Sequence, residues 1–265
     1  MNNAASTATR RTLGLALALY LSWVFEGRVH TFQRPEDVDA RLTYALVANV
    51  LIGIGGSALV IRFLSSSGEL LTRQAGFRGL GHAVVAVVVG AALGLAIYAL
   101  QGAPKFNPAV IINAYAQALV VSTAEVLVCW AVVGSVAESL LRDGRGKWVS
   151  VILAALIASV LFGIYHFAQS PPFNTIPLVV ILSVIGLVTS VFFFISTDVY
   201  GTIAFHNFLG IYGVIGALKA SDNLAVFERP ILPLLVMAVV AIALLIALHV
   251  LWLNSGTAPT PPRVR

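Results

Sequence analysis

The stretch of sequence that decides the fold is residues 175–197, which read TIPLVVILSVIGLVTSVFFFIST. No charged side chain interrupts this stretch. A helix rises about 1.5 Å per residue and the hydrocarbon core of a bilayer is about 30 Å thick, so roughly 20 consecutive apolar residues can cross it. Residues 175–197 therefore predict a membrane-spanning helix.

Comparable apolar stretches recur along the whole chain. Of its 265 residues, 59% are hydrophobic and 10% are charged, whereas soluble domains typically carry about 25% charged residues. The sequence therefore predicts an all-α fold, a polytopic integral membrane helical bundle with about eight transmembrane helices, as a single membrane domain over residues 1–265. The predicted spans lie near 12–26, 42–62, 82–101, 110–141, 149–168, 175–197, 202–218 and 231–253.

The first predicted span has an alternative interpretation. Arg10 and Arg11 precede a short apolar run, a pattern that is also typical of a secretory signal peptide. A small-residue cleavage site does not follow, because the chain continues with Trp23-Val24-Phe25-Glu26. We therefore interpret residues 12–26 as a span.

The distribution of basic residues predicts the orientation of the spans. With the N-terminus inside, ten Lys and Arg residues fall in inner segments and six in outer loops, which agrees with the positive-inside rule. We therefore expect both termini in the cytoplasm, in a bacterial or archaeal plasma membrane. The net charge of +5 comes from these cations, so the lipid bilayer rather than nucleic acid is the expected partner. The Pro- and Thr-rich tail, 254–265, is predicted to be disordered.

Few ionisable side chains fall inside the predicted spans, and each needs a reason, because a charged side chain within hydrocarbon costs about 2.5–3.5 kcal/mol. Glu125 is the only deep carboxylate, and Glu138 lies about one turn inside the inner edge. His166, His206 and His249 fall within spans or near their ends. One acid and two or three imidazoles in an apolar bundle predict a catalytic or metal site. A histidine that only bonds a neighbouring helix is the alternative, and we expect this packing role for His249.

Residue spacing predicts which of these side chains lie at the same depth. The turn at 143–148 joins two antiparallel spans; Glu125 precedes its centre by about twenty residues and His166 follows it by about twenty, so the two come level. Glu138 falls roughly 20 Å nearer the cytoplasm than His166 if both helices are straight. His206 lies only a few residues into its span, nearer the depth of Glu138. A bent helix, a tilt or a broken span near Pro171-Pro172 would reconcile the three depths.

Such a group of side chains is suited to amide hydrolysis. A carboxylate in an apolar environment accepts a proton from water readily and can later give it to a leaving amine. Two imidazoles can position that water, stabilise the oxyanion or hold a zinc ion that does both. No HExxH motif occurs, and the single cysteine, Cys129, excludes a CxxC metal site.

Two stretches carry a resemblance to a known family. Residues 161–166 read LFGIYH, which is similar to an "LFGxxH" version of an FxxxH motif, and residues 202–207 read TIAFHN, with His206 at the position of a histidine in an HxxxN motif. In the second stretch Gly210 stands where the motif has asparagine, and Asn207 follows the histidine directly. Over roughly 115–218 the chain resembles the CAAX-protease and bacteriocin-processing (CPBP) intramembrane endopeptidases.

The first of the family's three motifs along the chain, EExxxR, fits in two ways. Residues 137–142 read AESLLR, which keeps Glu138 and Arg142 but has Ala137 where the family has its leading, catalytic glutamate. Alternatively, Glu125 takes the place of the leading glutamate at a family-like distance before the basic turn. We favour Glu125, because a deep carboxylate is costly and the distance matches, and Glu138 remains the alternative.

The resemblance implies an intramembrane endopeptidase that cleaves a peptide bond of a membrane-associated protein or peptide, reached from the cytoplasmic half of the bilayer. It implies Glu125 as the general base, with His166 and His206 orienting the water and stabilising the oxyanion and Asn207 assisting. A zinc ion held by His166 and His206 and a metal-free site both stay open, as does the oligomeric state.

Two other functions compete with the protease. The incomplete first and third motifs favour a non-catalytic scaffold or immunity-type protein of the same fold. A small transporter would use Glu125 and the histidines as a proton relay, but the sequence lacks the paired repeats with broken helices that many carriers have.

Overall fold

The computed structural model describes residues 3–33, 43–142, 144–169, 173–220, 222 and 224–254. These ranges form a bundle of eight long helices and contain no strand, which confirms the predicted all-α fold. The helices are α1 (Asn3–Gln33), α2 (Ala45–Ser66), α3 (Leu80–Leu100), α4 (Pro108–Arg142), α5 (Lys147–Ala168), α6 (Ile176–Ser196), α7 (Val199–Ala220) and α8 (Leu232–Leu253).

Seven of these helices, α2 to α8, are long and apolar enough to cross a membrane. They coincide with the second to eighth predicted spans. The first predicted span, 12–26, lies inside α1, which is not among the seven. Its uncharged stretch from Thr12 to Phe25 has a length of only about 21 Å at 1.5 Å per residue.

Helix α1 nevertheless runs alongside α5 in the bundle. The hydroxyl of Tyr20 donates a hydrogen bond of 2.7 Å to the carbonyl of Leu161, and the ring of Trp23 stacks on that of Tyr165 at 3.7 Å between centroids. The two contacts advance in the same direction along both helices, so α1 and α5 are parallel. The N-terminal end of α1 therefore lies at the end of the bundle that carries the turn between α4 and α5.

Helix α4 is the central helix. In the most apolar part of α4, 89% of residues are buried, against 22% to 56% in the other six candidate spans. A nine-residue π-helical segment, Val126–Gly134, interrupts α4 directly after Glu125. Long π-helical segments are rare, and shorter ones occur frequently at functional sites.

Small residues let neighbouring helices approach α4 and α7 closely. A Cβ on Gly53 of α2 would overlap Ala124 of α4, next to Glu125. Gly90 of α3 faces the carbonyl oxygen of Gly201 on α7, and Gly201 in turn faces Ala86. Such contacts between small residues are typical of helix packing in membranes.

The turn between α6 and α7 is recessed inside the bundle. Asp198 and Val199 are fully buried, and the loop 67–79 covers them, because the N–H of Val199 donates to the carbonyl of Gly76 at 2.9 Å. The same loop reaches α4, where the hydroxyl of Ser135 donates to the carbonyl of Gln74 at 2.9 Å. Helix α7 therefore begins well inside the end of α4.

Two sequence predictions fall largely outside these ranges. The predicted disordered tail, 254–265, is described only at Asn254, and Pro171-Pro172, the predicted break, lies outside the described residues.

Candidate functional site

Three helices bring the candidate site together at the middle of the bundle. Glu125 lies on α4 immediately before the π-helical segment, His166 lies in the last turn of α5, and His206 lies in the second turn of α7. All three side chains are buried, with 6%, 7% and 2% of the residue surface exposed.

The carboxylate of Glu125 faces both imidazoles. Its Oε2 lies 3.1 Å from Nε2 of His206, and its Oε1 lies 3.8 Å from Nε2 of His166. The first distance is a hydrogen bond and the second is a gap that one water molecule can bridge. Glu125 and His166 therefore lie level, as their spacing from the basic turn predicted.

The orientation of His166 is set by its own helix. Its Nδ1 lies 2.9 Å from the carbonyl oxygen of Phe162, and a carbonyl can only accept, so Nδ1 carries the proton. In the neutral imidazole, Nε2 then has a lone pair that points towards Oε1 of Glu125. Two acceptors thus face each other across 3.8 Å, an arrangement that suits a water molecule donating to both.

The orientation of His206 is set by Thr189 on α6. The hydroxyl oxygen of Thr189 lies 2.8 Å from Nδ1 of His206 and 3.0 Å from the carbonyl of Ile185. If the hydroxyl donates to Nδ1, the neutral imidazole carries its hydrogen on Nε2. If the hydroxyl donates to Ile185, Nδ1 carries the hydrogen and Oε2 of Glu125 holds the proton. In both cases one proton lies between Nε2 of His206 and Oε2 of Glu125. Oε2 is therefore engaged, and Oε1 is the oxygen available to accept a new proton.

Aromatic side chains enclose the two imidazoles. The ring of Phe162 lies 4.7 Å from that of His166 and 5.1 Å from that of His206. The ring of Trp130 lies 5.2 Å from His206, and its indole N–H donates to Ser190 at 2.7 Å. Electrostatic interactions between the carboxylate and the imidazoles are stronger in such surroundings than in water.

A polar network borders the site next to His166. The hydroxyls of Tyr165 and Tyr44 are hydrogen-bonded at 2.7 Å, and the side-chain amide of Gln169 donates to Tyr44 at 3.0 Å. The ring of Trp23 of α1 stacks on the Tyr165 ring, and its N–H donates to Asn49 at 3.4 Å. Helices α1 and α2 thus contribute the second layer around His166.

The other two predicted site residues lie apart from this contact. Glu138 lies thirteen residues beyond Glu125 along α4 and forms an ion pair with Arg142 of the same helix. Asn207 is fully buried, but its amide is used between helices: its Oδ1 accepts from Ser122 at 2.9 Å and its Nδ2 donates to the carbonyl of Tyr115 at 2.9 Å. Its amide thus ties α7 to α4 one residue after His206.

Two imidazoles and a carboxylate are chemically suited to zinc. In the ranges that the structure describes, however, no three His, Cys, Asp or Glu side chains are arranged to hold one. Nε2 of His206 bonds the carboxylate directly instead of converging with it on a common point.

The recessed turn explains the depth of His206. His206 lies seven residues, about 10 Å, inside Val199. Glu125 lies ten residues inside Ser135, and nine of these residues form the π-helical segment, which rises less per residue than an α-helix. Because the loop 67–79 bonds both Val199 and Ser135, the two starting points are at similar depth. His206 therefore meets Glu125 rather than Glu138.

Sequence reasoning missed Thr189 and Trp130. Thr189 and Ser190 form an adjacent polar pair in α6, which has no charged residue, and this pair was the signal that could have indicated contact with the site. For Trp130 no such signal existed, since a tryptophan in an apolar span is ordinary.

A bundle of apolar helices around a buried carboxylate and two imidazoles defines a polytopic membrane protein with a polar cluster at the middle of its bundle. Residues 134–211 match the family described as type II CAAX prenyl endopeptidase Rce1-like. This match confirms the resemblance to the CPBP family over less than a third of the chain, inside the predicted range 115–218. The matched residues include Glu138, His166 and His206 but begin after Glu125. No curated protein and no solved structure matches the chain.

Proposed function

We propose that this protein is an intramembrane endopeptidase that hydrolyses a peptide bond of a membrane-associated protein or peptide. The observation that carries the proposal is the buried carboxylate of Glu125 between two imidazoles, 3.1 Å from His206 and 3.8 Å from His166. The match of residues 134–211 to a family of endopeptidases supports the same reaction.

In the proposed mechanism, one water molecule donates hydrogen bonds to Oε1 of Glu125 and to Nε2 of His166. The water oxygen attacks the substrate's carbonyl carbon, and its proton moves to Glu125. In the form where Thr189 donates to Nδ1, Nε2 of His206 carries the hydrogen. Protonation of Glu125 then weakens the bond from this N–H to Oε2, so that the N–H can stabilise the oxyanion. The C–N bond then breaks as Glu125 passes the proton to the leaving amine, which leaves a carboxylic acid and an amine. Asn207 assists by holding α7 against α4.

The family description suggests the first substrate to test. A prenylated peptide with a C-terminal CAAX segment is anchored in the membrane by its lipid, so its scissile bond stays close to the bundle. We propose that such a substrate reaches the site from the cytoplasmic half of the bilayer.

The test uses purified full-length protein in proteoliposomes and an internally quenched, prenylated CAAX peptide. We expect cleavage by the wild type and a loss of about 10²- to 10⁴-fold in Glu125→Gln, His166→Ala and His206→Ala, as is typical for removal of a general acid–base group. Mass spectrometry of products formed in ¹⁸O water identifies the bond and shows the label in the new carboxylate.

Glu138→Gln is the matched control, since it changes the other buried glutamate of α4, whose partner is Arg142. We expect this variant to retain activity. Activity in Glu125→Gln together with its loss in Glu138→Gln would reverse the assignment of the base.

A non-catalytic scaffold is the second candidate function, and Ala137 is the observation that favours it, because it stands directly before Glu138 where the family has a glutamate. A scaffold would bind the peptide without cleaving it, and Glu125→Gln would leave peptide binding unchanged.

A further inference from the structure

A groove on the outside of the bundle lies apart from Glu125 and the two histidines. It has a volume of about 600 Å³ and runs between α3 and α6. Its walls include Val89 and Leu93 on α3 and Val191 on α6. Its floor includes the rings of Phe192 and Phe205, which stack at 4.7 Å and 9°.

The groove forms because α3 and α6 both pack against α7. Gly90 and Gly201 bring α3 onto α7, while the short turn at Thr197 and Asp198 joins α6 to α7. The walls of the groove are apolar along its length, and polar groups occur only at one end, at His82 and Ser196. A groove of this composition within a membrane is suited to hydrocarbon.

The length of the groove fits an acyl chain. On α3 it extends from His82 to Ile97, a distance of about 22 Å at 1.5 Å per residue. One leaflet contributes about half of the roughly 30 Å hydrocarbon core. A fully extended acyl chain of one leaflet is therefore accommodated.

The polar end of the groove is cationic. His82 donates from Nε2 to the carbonyl of Ser196 at 2.8 Å, and Arg78 bonds the next residue, Thr197, through Nε and Nη2. Within the described part of the chain these bonds leave Nη1 of Arg78 available. Helix α3 starts beside it at Gly79 without a side-chain cap, so its first N–H groups add partial positive charge.

The carboxylate of Asp198 is close enough to interact electrostatically with His82, so the positive charge at this end is that of Arg78 and the first turn of α3. Asp198 is fully buried and its Oδ1 accepts from the N–H of Gly201 at 2.8 Å, which caps α7. The charge at the mouth of the groove therefore complements an anionic headgroup.

We propose that this groove binds one acyl chain of an anionic phospholipid, with the phosphate at Arg78 and the first turn of α3. The acyl chain lies against Val89, Leu93 and the stacked phenylalanines. Arg78 sets the preference for negative charge, while the groove sets the position and number of bound chains.

The test measures phospholipid binding to purified, delipidated full-length protein by native mass spectrometry. The probes are phosphatidylglycerol and phosphatidylcholine with identical acyl chains. We expect one phosphatidylglycerol to bind the wild type more tightly than phosphatidylcholine. Val89→Trp fills the groove and should weaken this binding at least tenfold, whereas Val240→Trp, at a lipid-facing valine of α8, should not.

Arg78→Gln tests the headgroup separately, with Arg145→Gln in the exposed α4–α5 turn as its control. We expect Arg78→Gln to lose about fivefold in preference for phosphatidylglycerol, because one surface charge is worth about 1 kcal/mol, and Arg145→Gln to keep the preference. If Val89→Trp does not fold, the comparison of Arg78→Gln with Arg145→Gln tests the proposal.

Equal binding of the two lipids by the wild type would overturn the proposal, as would equal effects of Val89→Trp and Val240→Trp. So would a wild-type dimer that Val89→Trp converts to a monomer without loss of lipid, since a second copy would then occupy the groove.

Discussion

Thr189 holds His206 in the orientation that faces Glu125, although it touches neither a substrate nor the carboxylate. Its hydroxyl lies 2.8 Å from Nδ1 of His206, so it fixes the ring and determines where the imidazole carries its protons. Outer partners of this kind commonly change activity by about 10- to 100-fold when they are removed from metal-bound histidines. We use the lower end of that range, because His206 is not held by a metal here.

Thr189→Val should lower kcat of peptide cleavage by about tenfold and leave KM nearly unchanged, because it releases the His206 ring without changing the size of residue 189. Thr189→Ser should restore the rate and the pH profile. Thr202→Val is the control, since Thr202 is a buried threonine of α7 whose hydroxyl bonds the carbonyl of Asp198 at 2.6 Å. A similar loss in both valine variants would indicate a purely structural role for Thr189.

Asp198 makes the stability of the fold depend on pH. Burial raises the pKa of the Asp198 carboxyl, while N–H groups of Gly201 and Tyr200 and the nearby His82 and His249 act in the opposite direction. Its Oδ2 is buried and has no hydrogen-bond partner in the described structure. Since the folded-state pKa is raised, the stability that the protonated form contributes is fully present below the unfolded pKa of about 3.9 and is lost as the pH rises through the folded pKa.

Asp198→Asn should therefore flatten the fall of the melting temperature with rising pH, because it keeps an acceptor for the N–H of Gly201 and cannot ionise. Asp198→Ala should lose the cap as well and destabilise the protein by about 1 kcal/mol across the pH range. Thermal unfolding in detergent over a pH series measures both effects. Parallel curves for wild type and Asp198→Asn would contradict the assignment.

At the residue scale, the sequence indicated the site residues wherever an ionisable side chain falls within an apolar span. Glu125, His166 and His206 could be selected because ionisable groups in apolar spans are costly. Their partners could not all be selected, because Thr189 and Trp130 are ordinary residues of membrane helices. Only the packing of α6 against α7 gives Thr189 its contact with His206.

At the scale of elements, residue spacing along the helices cannot predict the position of the loop 67–79. Counting residues from helix ends assumes that all spans begin at the same depth. This loop instead covers Val199 and begins α7 inside the bundle. The depth of His206 followed from that loop, whereas the depths of Glu125 and His166 followed from their shared turn.

The loop is tied to α1 by Glu69. The carboxylate of Glu69 accepts from Thr12 at 2.5 Å and forms an ion pair with Arg11. Burial raises the pKa of Glu69, but the hydrogen bonds from Thr12 and Arg11 and the charge of Arg11 outweigh it, so the pKa lies below its ordinary value. The stability that this carboxylate contributes is therefore present above the unfolded pKa and is lost as the pH falls through the folded pKa.

Glu69→Gln should lower the unfolding free energy at neutral pH by about 1 kcal/mol and remove part of the stability loss in acid. Glu228→Gln is the matched control, because the Glu228–Lys105 pair is exposed, and exposed pairs contribute about 0–1 kcal/mol. Thermal unfolding of both variants at neutral and acidic pH measures the difference. An acid response of Glu69→Gln equal to that of the wild type would contradict this role.

At the scale of the whole molecule, the distribution of polar residues explains which helix is central. Helix α4 carries Glu125 and Glu138 and is the most enclosed of the candidate spans. Helix α6 carries no ionisable residue, and only 28% of the residues in its most apolar part are buried. A lipid-facing helix can be apolar on every side, but a helix with carboxylates needs other helices around it. Composition thus predicts the seven spans α2 to α8, and the ionisable residues indicate the centre of the bundle.

The orientation of the bundle in the membrane is the remaining prediction at this scale. Gln101 follows α3 and Gly144 follows α4, at opposite ends of the bundle, and both are exposed. The native Cys129 is fully buried, so the wild type should give almost no background with a membrane-impermeant maleimide. With both termini in the cytoplasm, Gln101→Cys should be labelled in intact cells and Gly144→Cys only after permeabilisation, because the basic turn lies inside. The reverse labelling pattern would place the turn, and with it the site's approach from the α4–α5 end, on the outside.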